Sequence, residues 1–509
     1  MDGYVPPQSR VKTPILGAAY TARSVNASDN RMINLYPEST DQGGKEPGYL
    51  LRTPGLVGVT EYGGWGIGTW GRSTWGSIVP TKIGSGPVRG LWSFNEFLYA
   101  VCGDSLYKID RNFGVTLLGL VGSSSEPASM SDNGTQLFVA SGGLGFIYNS
   151  ITGVFAQITD PDFLGASVVG YLDGYFVYIQ PNTQTLWITS LLDGTSIDPL
   201  DFASAEGFPD RIVTMIVAFR EVWLFGTTST EVWYNSGASP FPLSRIQGAF
   251  NEIGCAATYS VAKMDNAIFW LGADARGQGI VYRANGYTGV RISTHAVEYA
   301  IQNYSTISDA IGYTYQQEGH SFYVLIFPTA NKTWVYDTVT QLWHERAGWQ
   351  NGQFVRHRSN CQCMFNGRVV LGDYEDGYLY TFSLDTFKDG ENTQKWLRSW
   401  RALPTGKNDL KRSIHHSLQI DMETGTGLDG DVQGSNPTVF LRWSDDGGHT
   451  WSNYHNVSMG RIGEYYHRAI WRRLGMTIKL RDRVYELSGT DPVKIAIIGA
   501  ELFGSDTNA

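Results

Sequence analysis

Seven times along the chain, a run of apolar and β-branched residues is followed by a short polar or glycine-bearing break. A second short run carrying Tyr or Trp then follows. The pairs are FLYAVCGDSLYKI from Phe97, LFVASGGLGFIYN from Leu137, YFVYIQPNTQTLWIT from Tyr175, VWLFGTTSTEVWYN from Val222, IFWLGADARGQGIVYR from Ile268, FYVLIFPTANKTWVYD from Phe322 and VVLGDYEDGYLYTF from Val369. Successive pairs begin about 45 residues apart. Runs of this length, rich in Val, Ile, Phe, Tyr and Trp and bounded by turn residues, predict strands. Each unit has room for a strand on either side. RIVTMIVAF from Arg211 precedes the fourth pair, and QLWHERA from Gln341 follows the sixth. Four short strands per unit predict an all-β fold, a β-propeller of six or seven blades, because one blade cannot bury both faces alone. The one helical pattern is THAVEYAIQNY, residues 294–304, with Thr294 as its cap.

Two regions lie outside the repeat. Residues 1–85 read as an N-terminal extension ending in a Trp- and Gly-rich loop, GGWGIGTWGRSTWG, residues 63–76. Residues 86–394 form the propeller body. Residues 395–509 contain SIHHSLQIDME, TVFLRWS, MTIKL and VKIAIIGAELF, whose alternation predicts an antiparallel, β-sandwich-like C-terminal region. This region either completes the propeller or forms an oligomer interface.

Composition supports short strands and tight turns: 60 of 509 residues are Gly and 13% are aromatic. The net charge of −9 is uneven. Residues 395–509 carry 15 Lys and Arg against 13 Asp and Glu, so the rest of the chain holds a net −11. That balance excludes a protein that grips nucleic acid by a strong basic surface. No apolar run reaches the roughly 18 residues a membrane helix needs, so no membrane insertion is expected. MDGYVPPQSR has neither a basic start nor an apolar core, so no secretory signal is expected and a cytosolic beginning follows. Cys361 and Cys363 share one strand face in CQCMF. With Cys102 and Cys255 they read as free thiols, since a zinc site needs a second pair or nearby histidines.

One motif raises the question of chemistry. WSDDGGHTW contains Ser444, Asp446, Gly448, Thr450 and Trp451, the spelling of an Asp box, best known from sialidases. Asp446 is placed to accept backbone N–H groups of a turn, and Gly448 to take a positive φ. A rigid hairpin that catalyses nothing is the expectation. A sialidase also needs several arginines for its substrate's carboxylate and a Tyr–Glu nucleophile pair. Its Arg-Ile-Pro flag is absent from all four Arg-Ile pairs, at Arg211, Arg245, Arg291 and Arg461. No Gly-x-Ser-x-Gly elbow or phosphate-binding loop appears. His415 and His416 are adjacent in a strand and face opposite ways, so one metal would not see both. No catalytic residue, metal or cofactor is expected.

Arg and Trp together favour interface hot spots. Arg398 and Arg401 lie beside Trp396 and Trp400, and Arg472 and Arg473 follow Trp471. These, with the loop residues Trp65, Trp70 and Trp75, are the candidate interface residues. The alternative is an ordinary solvated strand face.

The segments outside the repeat carry a resemblance. RMINLYPE, with Asn34 and Pro37, then GYLLRTPGL, with Gly48, Pro54 and Gly55, then a propeller-like body and a WRRLG close at Trp471 to Gly475 resemble the packaged-DNA stabilisation, or tail nozzle, proteins of short-tailed bacteriophages. The resemblance implies a homo-hexameric virion protein, assembled in the host cytoplasm, below the portal and its head-to-tail adaptor. It would form a channel that retains packaged double-stranded DNA without reading its sequence. Its far end would meet a tail needle or tip, with fibres or spikes around it. No catalytic residue comes with the resemblance. The alternative reading is a carbohydrate-binding or glycan-hydrolysing propeller of a tail fibre or cell surface.

Overall fold

The apolar runs are nearly continuous because each central strand is covered on both faces. Gln136–Ser141 and His320–Phe327 are buried at every position. The computed structural model describes residues 8–23, 28–40, 46–59, 82–205, 210–402, 412–478 and 483–507. In it the seven strand pairs are the two middle strands of seven antiparallel blades. RIVTMIVAF supplies the inner strand of the fourth blade, Ile212–Ala218, and QLWHERA the outer strand of the sixth, Leu342–Glu345.

The inner strands pack in a ring. Val88–Phe94 of the first blade touches Ser129–Asp132 of the second, and the order runs on until Ser359–Phe365 of the seventh returns to Val88–Phe94. The core is therefore divided into separate apolar clusters between successive blades. Trp223, Phe225 and Trp270 fill the seam between the fourth and fifth, with Trp270 stacked 5.7 Å from Tyr282. Trp334 packs between the sixth blade and its neighbours, its indole donating to Tyr304 Oη at 3.0 Å. Between the fifth and sixth blades lies the helix His295–Gln302, and Thr294 Oγ1 accepts from Val297 N at 3.4 Å.

The ring closes with a strand from the other end of the chain. The outer strand of the seventh blade is Gly55–Gly58, antiparallel to Leu379–Ser383. Gly55 is required there by close approach: a Cβ would run into the carbonyl oxygens of Thr386 and Lys388. The C-terminal region does not complete the propeller.

It forms a β-sandwich instead. One sheet orders Leu35–Ser39, Gly48–Arg52, Ala496–Asp506, Ser413–Met422 and Ala469–Met476, with Gln8–Thr13 also paired to Ala496–Asp506. The other orders Met32–Ile33, Trp396–Arg401, Val484–Gly489, Thr438–Ser444 and His455–Ser458. It continues from the sixth blade through the parallel pair Ile33 and Glu345. Trp396, Trp400, Tyr485 and Leu502 lie in the sandwich core. Among residues 1–85, expected as a separate extension, most described strands are divided between the sandwich sheets and the seventh blade, while Tyr20–Thr21 and Asp29–Asn30 pair with each other. Met32–Ile33, Gly48–Arg52 and Gly55–Gly58 take partners hundreds of residues away, so they do not stand as a unit of their own.

Gly55→Val should lower stability by about 1–3 kcal/mol, the usual cost of overpacking, while leaving the sandwich folded. Urea unfolding followed by tryptophan fluorescence checks this. An unchanged midpoint would contradict closure through Gly55.

Candidate functional site

The seam between propeller and sandwich is held by polar side chains that the chain buries. Asn34 takes φ +55°, a left-handed conformation that Asn tolerates. It donates through Nδ2 to the carbonyls of Ala347 and Lys395, both at 2.7 Å, and accepts from Ala347 N at 2.9 Å. Arg52 donates to Asp491 O at 2.5 Å, Val493 O at 3.0 Å, Phe387 O at 3.2 Å and Gln394 Oε1 at 3.1 Å. Burial pushes its guanidinium down to about 9. Arg398 donates to Ile15 O at 2.7 Å and Ala18 O at 3.3 Å, and burial pushes it down to about 10. Arg346 sits 5.1 to 5.5 Å from the ring centroids of Tyr315, Phe322 and Phe382.

His320 ties the sixth blade to the first sandwich sheet. Its Nδ1 lies 2.8 Å from Asp337 Oδ2 and its Nε2 2.7 Å from Glu38 Oε2. The Asp337 hydrogen bond, then that of Glu38, raise its pKa to about 9 against the effect of burial. Beside it opens a cleft of about 590 Å³ lined by Tyr36, Tyr49, Glu46, Glu318, Glu423 and Lys494, the last two 3.0 Å apart. Among the described residues no group of three His, Cys, Asp or Glu is placed to hold a metal. No described helix is long and apolar enough to cross a membrane.

The Asp box is a closed turn. Asp446 Oδ1 accepts from Ser444 Oγ at 2.6 Å, Thr450 N at 2.8 Å and His449 N at 3.0 Å, and Oδ2 accepts from Thr450 Oγ1 at 2.6 Å. These bonds hold its carboxyl far below the usual carboxylate range. Gly448 takes φ +100°, and its N–H donates to Ser444 Oγ at 2.8 Å. Trp451 lies under the guanidinium of Arg442, 4.6 Å from its centroid, and Arg442 is itself bidentate to Glu486 at 2.6 and 2.9 Å. Both oxygens of Asp446 are engaged in its own turn.

The structure separates the candidate interface residues. Arg398 and Trp471 are buried. Arg398 holds the Ile15–Ala18 segment on the sandwich, and Trp471 lies in the sandwich core with its indole donating to His455 O at 2.8 Å. Neither is available to a neighbour, because alternation turns these two positions of their strands inward. Arg401 is half-buried near Asp29. Arg472 and Arg473 are exposed on Ala469–Met476, the last strand of its sheet. Trp65, Trp70 and Trp75 lie outside the described residues. His415 is buried between Tyr485 Oη, at 2.7 Å, and Ser413 Oγ, while His416 meets Ser505 Oγ. Cys361 and Cys363 pack with Cys102 between the seventh and first blades. Burial pushes the Cys102 and Cys363 thiols up to about 11. Asn34 and Arg52 were not singled out by side-chain chemistry, although each is a lone polar residue inside an otherwise apolar stretch.

A family model described as bacteriophage P22 Gp10, beta-propeller, matches residues 11–387, and one described as bacteriophage P22 Gp10, beta-sandwich, matches residues 396–504. No curated protein matches the chain. Among solved structures, the chain is similar to the extracellular domain of a one-component system from B. thetaiotaomicron. Identity is 12% over 85% of this chain and 57% of that one, with a TM-score of 0.42. PorZ, a surface component of the type-IX secretion system of Porphyromonas gingivalis, matches at 9% identity over 74% of this chain and 46% of its own, with a TM-score of 0.37. The computationally designed Ika8 protein matches at 12% identity over 70% of this chain and all of its own, with a TM-score of 0.36. The chain thus spans little more than half the length of the first of these.

The His320 bridge gives a pH dependence with a definite sign. Its folded pKa of about 9 lies above the roughly 6.5 of an unfolded chain. Its stabilisation is therefore fully present below about pH 6.5 and lost as pH rises through 9. Stability should fall by roughly 3 kcal/mol across that window, and His320→Gln should flatten the fall. Chemical unfolding at a series of pH values checks both; equal slopes in the two proteins would contradict the bridge. Asp446→Ala should speed amide exchange at His449 and Thr450 and leave the propeller amides unchanged, as read by hydrogen-exchange mass spectrometry.

Proposed function

We infer that this chain, which belongs to the phage-stabilisation family described by Gp10 of bacteriophage P22, is the subunit of a closed tail ring through which packaged DNA passes. It is a structural protein of a phage tail. The observation that carries the inference is the match of the two family models, end to end, to the propeller and to the sandwich.

The finer reading is a homo-hexamer below the portal and adaptor. It retains DNA in the head and offers attachment to a needle, fibre or spike after assembly in the host cytoplasm. A net-acidic propeller suits such a channel, since phosphates slide past carboxylates and are held by lysines and arginines. The divided inter-blade cores support a rigid wall. The engaged carboxylate of Asp446 supports a turn without chemistry. Residues 395–483 supply much of the contact with a neighbouring subunit or the portal side, with Arg472 and Arg473 meeting carboxylates across it.

Arg472→Glu with Arg473→Glu should leave the far-ultraviolet circular dichroism and melting curve unchanged. Incorporation into particles should drop at least about tenfold, the loss of roughly 1.4 kcal/mol of contact, and filled heads should leak DNA. Protein content and DNA retention of purified particles are the readout. Normal incorporation with full heads would remove these arginines from the interface.

A further inference from the structure

The two ends of the subunit carry complementary surfaces. The sandwich is joined to the sixth blade, and its second sheet runs outward from that joint to His455–Ser458. The open strand Ala469–Met476 flanks it on the same far edge. The loop between these strands exposes Ile462, Tyr465 and Tyr466, the last two at 70% and 100%. The loop is not slack. Thr424 Oγ1 donates to the carbonyls of Tyr465 and His467 at 3.1 and 3.3 Å, and Gly463 N donates to Gly425 O at 3.2 Å. The loop carries Arg461 and Arg468 and the strand after it Arg472 and Arg473, all exposed, with Glu464 the one carboxylate between residues 459 and 476.

In a ring of seven, the second and third blades lie opposite the sixth. They fall in the stretch from Asn112 to Asp210, which holds ten Asp and Glu and no Lys, Arg or His. The turns leading to their outer strands expose Ile151 at 78%, Leu191, Leu192 and Leu200 at 72%. These turns are also fixed. Leu192 N donates to Gly174 O at 2.8 Å, Asn133 Nδ2 donates to Leu192 O at 3.3 Å, and Asp193 Oδ1 accepts from Thr195 N at 3.0 Å. Asp198 is exposed beside Leu200, with Asp201 half-buried nearby.

We propose that the Tyr465–Tyr466 edge of the sandwich docks on the turns of the second and third blades of the next copy of this chain, where Asp173 is already paired with Arg220 and Asp198 and Asp201 are not ion-paired with a described residue. The proposal rests on the ring reading and names the two faces that make it. Apolar tips are set among arginines on one face and among carboxylates on the other, which matches them in charge and in character. Both faces are pre-ordered, so docking costs little loop entropy. Their placement on different faces gives a heterologous, head-to-tail contact and not a self-complementary pair, and such a contact closes a six-fold ring when each copy is turned by about 60° from the last. Bare leucines and isoleucine argue against these turns as a wetted channel wall.

The test is a charge swap in the full chain, read by light scattering after gel filtration and by negative-stain imaging. Arg468→Glu with Arg472→Glu, or Asp198→Lys with Asp201→Lys, should each weaken ring formation at least about tenfold with an unchanged melting curve. The four substitutions together should restore rings to near the parent level, and Tyr466→Ser should weaken them without altering salt dependence. If rings form but the single-face variants are unaffected, or the swap fails to restore them, the pairing is overturned and the ring reading stands. If Asp198→Lys with Asp201→Lys leaves rings intact and instead slows DNA release, the turns line the channel and the pairing is overturned. A parent chain that stays monomeric at every concentration overturns both.

Discussion

The pairing of Gly55–Gly58 with Leu379–Ser383 is the contact on which the rest of the structure depends. Seven blades have no common core. Their apolar clusters sit between neighbours, so an unclosed ring would leave one seam with a single wall. Bringing together strands more than 300 residues apart is entropically slow, and its cost grows only with the logarithm of the loop. Once made, it turns the last edge inward. Lys388–Asp389 then covers that strand in turn.

The same N-terminal segment ties the second unit to the first. Residues on either side of Asn34 enter the two sandwich sheets, and three residues after the sandwich strand Gly48–Arg52 ends the chain enters the seventh blade at Gly55. The seam is held by guanidiniums that find backbone carbonyls and aromatic rings. A buried arginine satisfied this way fixes geometry, because each N–H needs an oxygen in one place and few other packings offer it. Arg52 therefore specifies how sandwich and propeller meet and Arg398 fixes the Ile15–Ala18 segment against the sandwich, while apolar clusters supply the bulk of the stability.

The propeller was legible because its period is simple. Fully covered middle strands force continuous apolar runs, and turns force Gly and Asn, so the seven VWLFG-like pairs could be read while the blade number stood at six or seven. The helix was legible from Thr294 and the spacing after it. The destination of residues 29–58 was not, because strands of two to five residues such as Met32–Ile33 and Gly55–Gly58 are set by partners hundreds of residues away. The role of Arg398 was misread for a related reason: WLRSWR looks like an exposed basic stripe, and only the sheet on each side of it shows the arginine pointing inward. The turn around Asp446 is local, its partners Ser444, His449 and Thr450 lying within four residues.

In the proposed ring, the acidic blades of one copy would face the basic sandwich edge of the next. Electron cryo-microscopy of intact tails, with this chain traced in the map, tests that most directly. The account predicts a six-fold ring in which each sandwich edge at Tyr466 meets the second and third blades of the next copy, around an open axial channel. A map with these edges facing solvent, or with the chain present as isolated copies around the tail, would contradict it.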